Sequence, residues 1–186
     1  AEGINLVGMC CTGNELAMRH GIPMAGNFYQ QELAVVTGAV DAMIVDVQCI
    51  MPSLSTVASC YHTKLITTSP KAKIPGAVHI EFDEDNSINI AKEIVKIGVM
   101  NFKNRKAEVS IPDKITKGTT GYGVEGITKS LAKVVVQNAQ PLGTLKPLAD
   151  CITSGVLRGA VAIVGCNNHK IQHNYGHVEL AKELIK

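Results

Sequence analysis

The sequence predicts an α/β fold, a Rossmann-like parallel sheet with flanking helices over residues 1–108 and the start of a second α/β unit over 109–186. Three observations carry that reading. Short apolar runs bounded by turn chemistry occur at 4–11, 41–49 and 160–166, the signature of strands buried on both faces. Segments of helical periodicity alternate with them, which is the order of a parallel sheet with crossover helices. Each of these runs also ends in cysteine: Cys10-Cys11, Cys49 and Cys166. In an open α/β sheet ligands bind at the carboxyl ends of strands, so three strands deliver thiols to the functional end of the fold.

In chain order, Thr12 to Glu15 supplies capping residues for a short helix that Gly21 and Pro23 end. Met24-Ala25-Gly26 reads as a strand, and a helix over 30–36 stops at Gly38. The 41–49 strand follows. Pro52, placed for a first helical turn, opens a helix whose Leu54, Val57, Ala58 and Tyr61 share one face. A strand is expected at 64–68 and another at 77–82, the latter stopped by Asp83-Glu84-Asp85. The helix from 87 to about 103 carries Ile88, Ala91, Ile94, Val95 and Val99 at helical spacing. The pattern breaks between 101 and 122 into Lys/Asn/Arg-rich, then Gly/Thr-rich sequence, the candidate domain boundary. Helices at 124–135 and 145–154, the third cysteine-tipped strand and an amphipathic helix to residue 186 complete the chain.

Composition narrows the function classes. The chain is 46% apolar and 18% charged, and no apolar run reaches the ~18 residues of a membrane span. Net charge is +2 with scattered lysines, tryptophan is absent and aromatics are 4%, which supplies neither a basic stripe nor a stacking platform for nucleic acid. Six cysteines without a secretory leader point to a reducing, cytoplasmic setting rather than a disulfide framework. Both ends look cut, so the chain reads as a segment of a longer polypeptide.

Among the motifs, Gly118-x-x-Gly121-x-Gly123 follows no predicted strand and reads as an interdomain turn. His20, His62, His79 and His177 lie at element edges and read as satisfied or solvated. Cys60 and Cys151 fall within helices and read as buried small hydrophobes. Cys11, Cys49 and Cys166 form a convergent set. Convergent thiolates suit a soft metal site, above all an iron-sulfur cluster, with a zinc site, redox thiols or plain core cysteines as the alternatives.

Longer blocks are more specific. Met9-Cys10-Cys11-Thr12-Gly13-Asn14-Glu15, Gly26-Asn27-Phe28-Tyr29-Gln30-Gln31-Glu32, Val45-Asp46-Val47-Gln48-Cys49-Ile50-Met51-Pro52, Ser59-Cys60-Tyr61-His62-Thr63-Lys64, Ile74-Pro75-Gly76-Ala77-Val78-His79-Ile80-Glu81-Phe82 and Val164-Gly165-Cys166-Asn167-Asn168 closely resemble nickel-containing carbon monoxide dehydrogenase of anaerobes, in the hybrid-cluster/prismane superfamily. The resemblance runs the length of the chain and is weakest between about 86 and 138. It implies that 1–108 is most of the family's middle Rossmann-like domain and 109–186 the start of its C-terminal one. It also implies a nickel-iron-sulfur active-site cluster. Cys11 matches the ligand to the pendant iron, and Cys49 and Cys166 match ligands to irons of the cubane part. Cys10 matches a neighbour that is not a regular ligand, and no side chain of this segment is assigned as catalytic.

The family's histidine ligand and two further cluster cysteines would lie outside this sequence, as would the additional 4Fe-4S clusters of the electron relay. The implied reaction is the reversible oxidation of carbon monoxide with water to carbon dioxide, two protons and two electrons. The implied partners are an electron carrier such as ferredoxin, a second copy in a homodimer and, as a candidate, acetyl-CoA synthase, with no nucleic acid and no membrane span. With three of six ligands, the segment alone is expected to be inactive. A hybrid-cluster protein acting on hydroxylamine and a metal-free α/β interaction module are the alternatives.

Overall fold

A computed structural model describes residues 3–47, 49–106, 108–119, 121–135, 145–165, 170–172 and 174–186. Two compact units divide it, 1–121 and 122–186.

In the first unit, β1 (Gly8–Met9) runs directly into α1 (Cys10–His20), which Gly21 ends in the left-handed conformation with its N–H on the Ala17 carbonyl. Glycine is the residue that takes this helix-ending geometry without a side-chain clash. β2 (Met24–Gly26) pairs in parallel with β1. A capping box at Asn27 and Gln30 then turns the chain through one 3-10 turn into α2 (Gln31–Val36). β3 (Ala42–Val45), α3 (Leu54–Cys60), β4 (Lys64–Thr67) and β5 (Val78–His79) follow, and β3-β4-β5 form a parallel sheet in that order. α4 (Ser87–Asn101) closes the unit's regular structure.

Register explains which face each residue serves. Met43 pairs with Leu65 and Ile44 with Ile66, so odd and even positions serve opposite faces. Leu65 and Val45 join Val35, Leu54 and Ala58 in one buried cluster, flanked by Met43, Met51, Val57 and Tyr61, so α2 and α3 cover that face. α4 lies on the other face, where the Gly98 Cα approaches Ala42 closely enough that a Cβ there would sit 3.4 Å from the Ala42 side chain. Ile66 on this face is fully buried.

A polar lock secures the amino end of this sheet. Arg105 donates to both carboxylate oxygens of Asp41, at 3.0 and 2.9 Å, and His62 Nε2 lies 2.9 Å from Asp41 Oδ1. The buried Asn101 amide donates to the Asp41 and His62 carbonyls, joining the end of α4 to the loops before β3 and β4. Burial by itself pushes the Asp41 carboxyl upward, but the Arg105 and His62 hydrogen bonds and the Arg105 charge outweigh it and hold the carboxyl below its ordinary value.

Several expectations change. The run at 4–11 pairs only at Gly8 and Met9, and Ile4, Leu6 and Val7 are exposed because only one strand lies beside it. Ile44 is 47% exposed and Met43 is half-buried, so β3 is not buried on both faces. The run at 77–82 forms a two-residue strand, although Ile80 and Phe82 continue to donate to the Thr67 and Thr68 carbonyls. Cys60 is exposed, because α3 turns Leu54 and Ala58 inward, and Cys151 is exposed too.

The second unit contains α5 (Val124–Val135), α6 (Lys146–Thr153) and α7 (Tyr175–Ile185). Residues 160–165 form no strand, and Val161 and Val164 are exposed. A strand requires a neighbour's backbone N–H and C=O groups, and the described residues of this unit provide no other strand. Cys166 itself lies outside the described residues. Around the Gly118 to Gly123 motif, the described residues 118–119 and 121–123 belong to no helix or strand.

Candidate metal-ligand site

The candidate site lies at the carboxyl ends of β1 and β3. β1 is short because α1 begins at once, which leaves Cys10 at the strand-to-helix corner with a φ of 57°. Cys49, beyond β3, has a φ of 56°. Positive φ is uncommon for any residue with a Cβ, costs of order 1–3 kcal/mol, and persists where the surroundings over-determine it. Cys11 and Cys49 are exposed and Cys10 is half-buried.

What over-determines these corners is visible in their hydrogen bonds. Gln31, at the start of α2, is 6% exposed. Its Nε2 donates to Cys10 Sγ at 3.3 Å and to the Cys49 carbonyl at 2.5 Å, and its Oε1 accepts from the Met51 N–H at 3.0 Å. Independently, Thr12 Oγ1 donates to Asp46 Oδ2 at 2.7 Å, and Asp46 Oδ1 accepts from the Val47 N–H at 2.6 Å. A further side-chain bond from Ser53 to Glu32 ties α2 to the start of α3. The first turn of α1, the end of β3 and the start of α2 are thus fastened together.

Close backbone packing fixes the height of α1 on β1. A Cβ added at Gly13 would lie 2.4 Å from the Gly8 carbonyl carbon and 2.8 Å from its Cα, and one added at Gly8 would lie 2.6 Å from the Gly13 Cα. Only glycine at both positions permits this approach, which sets where Cys10 and Cys11 emerge.

The structure therefore brings the Cys10-Cys11 and Cys49 corners together. Among the described residues no three His, Cys, Asp or Glu side chains assemble into a metal-ligand group. A concavity of about 260 Å³ by the loop before β4 is lined by Ser55, His62, Lys64 and Val78 among others, and neither Cys11 nor Cys49 lines it. Sequence reasoning missed Gln31, Thr12 and Asp46. A signal for Gln31 was present: it stands one helical turn before the fully buried Val35, on the face that the core claims.

Comparison with known proteins now bears on this site. The sequence pattern of the Prismane/CO dehydrogenase family matches residues 1–186. Carbon monoxide dehydrogenase 1 of Methanosarcina mazei is 56% identical over 187 residues, covering all of this chain and 28% of that protein. The solved carbon monoxide dehydrogenase IV of Carboxydothermus hydrogenoformans superposes with a TM-score of 0.75 at 52% identity, covering 100% of this chain and 29% of that one. A solved acetyl-CoA synthase/carbon monoxide dehydrogenase, described with NiZn[Fe4S4] and NiNi[Fe4S4] clusters in its alpha subunits, superposes with a TM-score of 0.72 at 46% identity over 100% of this chain and 27% of that one. The chain thus spans between a quarter and a third of these relatives. With the family pattern matched from end to end and the parallel α/β architecture shared with a solved relative, the chain belongs to the Prismane/CO dehydrogenase family.

Proposed function

We propose that this chain is part of a carbon monoxide dehydrogenase, which oxidises carbon monoxide reversibly with water to carbon dioxide, two protons and two electrons. The observation that carries the proposal is the convergence of the Cys11 and Cys49 corners at the carboxyl ends of β1 and β3, in a chain that belongs to this family. The donor chemistry fits an iron-sulfur group. Exposed cysteine thiolates are soft ligands, and two of them stand on corners held by buried or paired polar side chains.

In this reading Cys11 holds the pendant iron and Cys49 a cubane iron, with Cys166 as a further cubane ligand. A nickel-iron-sulfur cluster in that position supplies Lewis acidity and storage for two electrons. The chain's own contribution is positional: Gly8 and Gly13 set the depth of Cys11, and the Thr12–Asp46 bond holds its helical turn against the Cys49 corner. Residues 1–108 correspond to the Rossmann-like middle domain of the enzyme and 109–186 to the start of the next α/β domain. The remaining ligands and the relay 4Fe-4S clusters belong to other parts of the polypeptide, so the segment alone is inactive. The full protein works in the cytoplasm as a homodimer, passes electrons to a carrier such as ferredoxin, and has acetyl-CoA synthase as a candidate partner.

The test is anaerobic assay of the full-length protein for carbon monoxide-dependent reduction of a viologen dye, with nickel and iron analysis. Dye reduction by a nickel-containing protein is expected. Hydroxylamine reduction without nickel would move the chain to hybrid-cluster chemistry, and absence of both metals would leave a metal-free module.

A further inference from the structure

We infer that Gln31 is the positioning residue that holds the two cysteine corners in register, by clamping Cys10 Sγ, the Cys49 carbonyl and the Met51 amide with one buried side-chain amide. What the corners hold rests on the cluster reading; the clamp itself rests on geometry alone. Three observations support it. Cys10 and Cys49 are two of the three described non-glycine residues with positive φ, so each corner needs something outside its own backbone preference to keep it. Gln31 satisfies both ends of its amide on these corners, with two donations from Nε2 and one acceptance at Oε1. Its burial denies it the alternative of bonding to water, so the three bonds stand or fall together.

The arrangement also gives Cys10 a role distinct from that of Cys11. The N–H···S contact turns the Cys10 thiol toward α2 and leaves the exposed Cys11 as the thiol that α1 presents outward. Cys10 then acts as an anchor for the corner.

Gln31→Met tests this in the full-length protein, because methionine keeps the length and suits a buried site while removing every hydrogen bond. The first readout is the alkylation rate of Cys10 by mass spectrometry, referenced to the exposed Cys60. At least a threefold rise is expected in the variant. The second is iron per chain, expected to fall at least twofold, with a changed electron paramagnetic resonance signature in the clusters that do assemble. A purely structural role would lower yield without altering that signature. Unchanged alkylation, iron and signature would overturn the clamp. Should the variant fail to fold, hydrogen exchange of the Met51 amide in the unmodified protein decides: protection of at least tenfold supports the bond to Gln31, and exchange at the unprotected rate overturns it. If the unmodified protein holds no iron, the cluster reading fails, while the alkylation and exchange measurements still judge the clamp.

Discussion

Replacing Gly13 by alanine sets two effects of opposite sign against each other at the base of the cysteine corner. Gly13 lies inside α1, and alanine is favoured over glycine in a helix interior by about 1 kcal/mol, so propensity alone predicts a more stable protein. The packing predicts the reverse. The new Cβ would stand 2.4 Å from the Gly8 carbonyl carbon, about 1.1 Å inside the closest comfortable carbon separation of roughly 3.5 Å. The Met24 sulfur, at 3.2 Å on one side, can give way, but the obstacle on the other side is β1 backbone, which cannot. Overpacking of this kind costs about 1–3 kcal/mol, and a backbone obstacle places it at the upper end. The net is a loss of about 2 kcal/mol, or roughly 4–8 °C in melting temperature for a chain of this size. Gly126→Ala in α5 is the internal control. Its Cβ would meet only Tyr122 at an ordinary 3.7 Å, so propensity acts unopposed and a gain of about 0.5–1 kcal/mol is expected. Thermal unfolding followed by circular dichroism reads both variants. A Gly13→Ala protein as stable as the parent would refute the close approach of α1 to β1, and with it the account of how Cys11 is placed.

Two further predictions concern the frame. The Asp41 carboxyl has a folded-state pKa below its unfolded value of about 4, so its stabilisation is present above that pH and is lost as pH falls through the folded pKa. Asp41→Asn should therefore cost about 1–2 kcal/mol at neutral pH in urea unfolding, with the difference from the parent constant above about pH 5 and shrinking progressively as pH falls below about 4; a gap that stays the same from neutral pH into that acid range would contradict the role of Arg105. Leu54→Ala, at a fully buried position beneath α2 and β4, should cost about 2–5 kcal/mol in the same assay, and a loss under 1 kcal/mol would show that α3 does not cap the sheet as described.

The sequence made local elements legible where punctuation was strong. Gly21, Gly38 and Pro52 stand at or beside real boundaries, and the helix expected at 124–135 begins at Val124 and is helical through the described residues to Val135. β4 was readable because Leu65, Ile66 and Thr67 are buried on both faces. The runs at 4–11 and 160–166 misled for one physical reason: apolar composition reports a preference for burial, whereas a strand exists only where a neighbour supplies hydrogen bonds. At the site, strand-end logic picked out the Cys11 and Cys49 corners. It could not reveal the Thr12–Asp46 bond, which spans 34 residues and comes into being only when the chain folds. Gln31 was hidden because a glutamine on a helix reads as solvated until its face is known to be buried. Cys60 was misjudged since a single position of seven in α3 decides exposure, and the stripe runs through Leu54 and Ala58.

The central claim is that Cys11 and Cys49 are iron ligands of a carbon monoxide-oxidising cluster. It is tested most directly by Cys11→Ala in the full-length enzyme, measuring carbon monoxide-dependent dye reduction and iron content on the same anaerobic sample, with Cys49→Ala alongside. The account predicts that Cys11→Ala abolishes carbon monoxide oxidation and that both variants lose iron. Turnover at the unmodified rate with full iron content in the Cys11→Ala protein would contradict it.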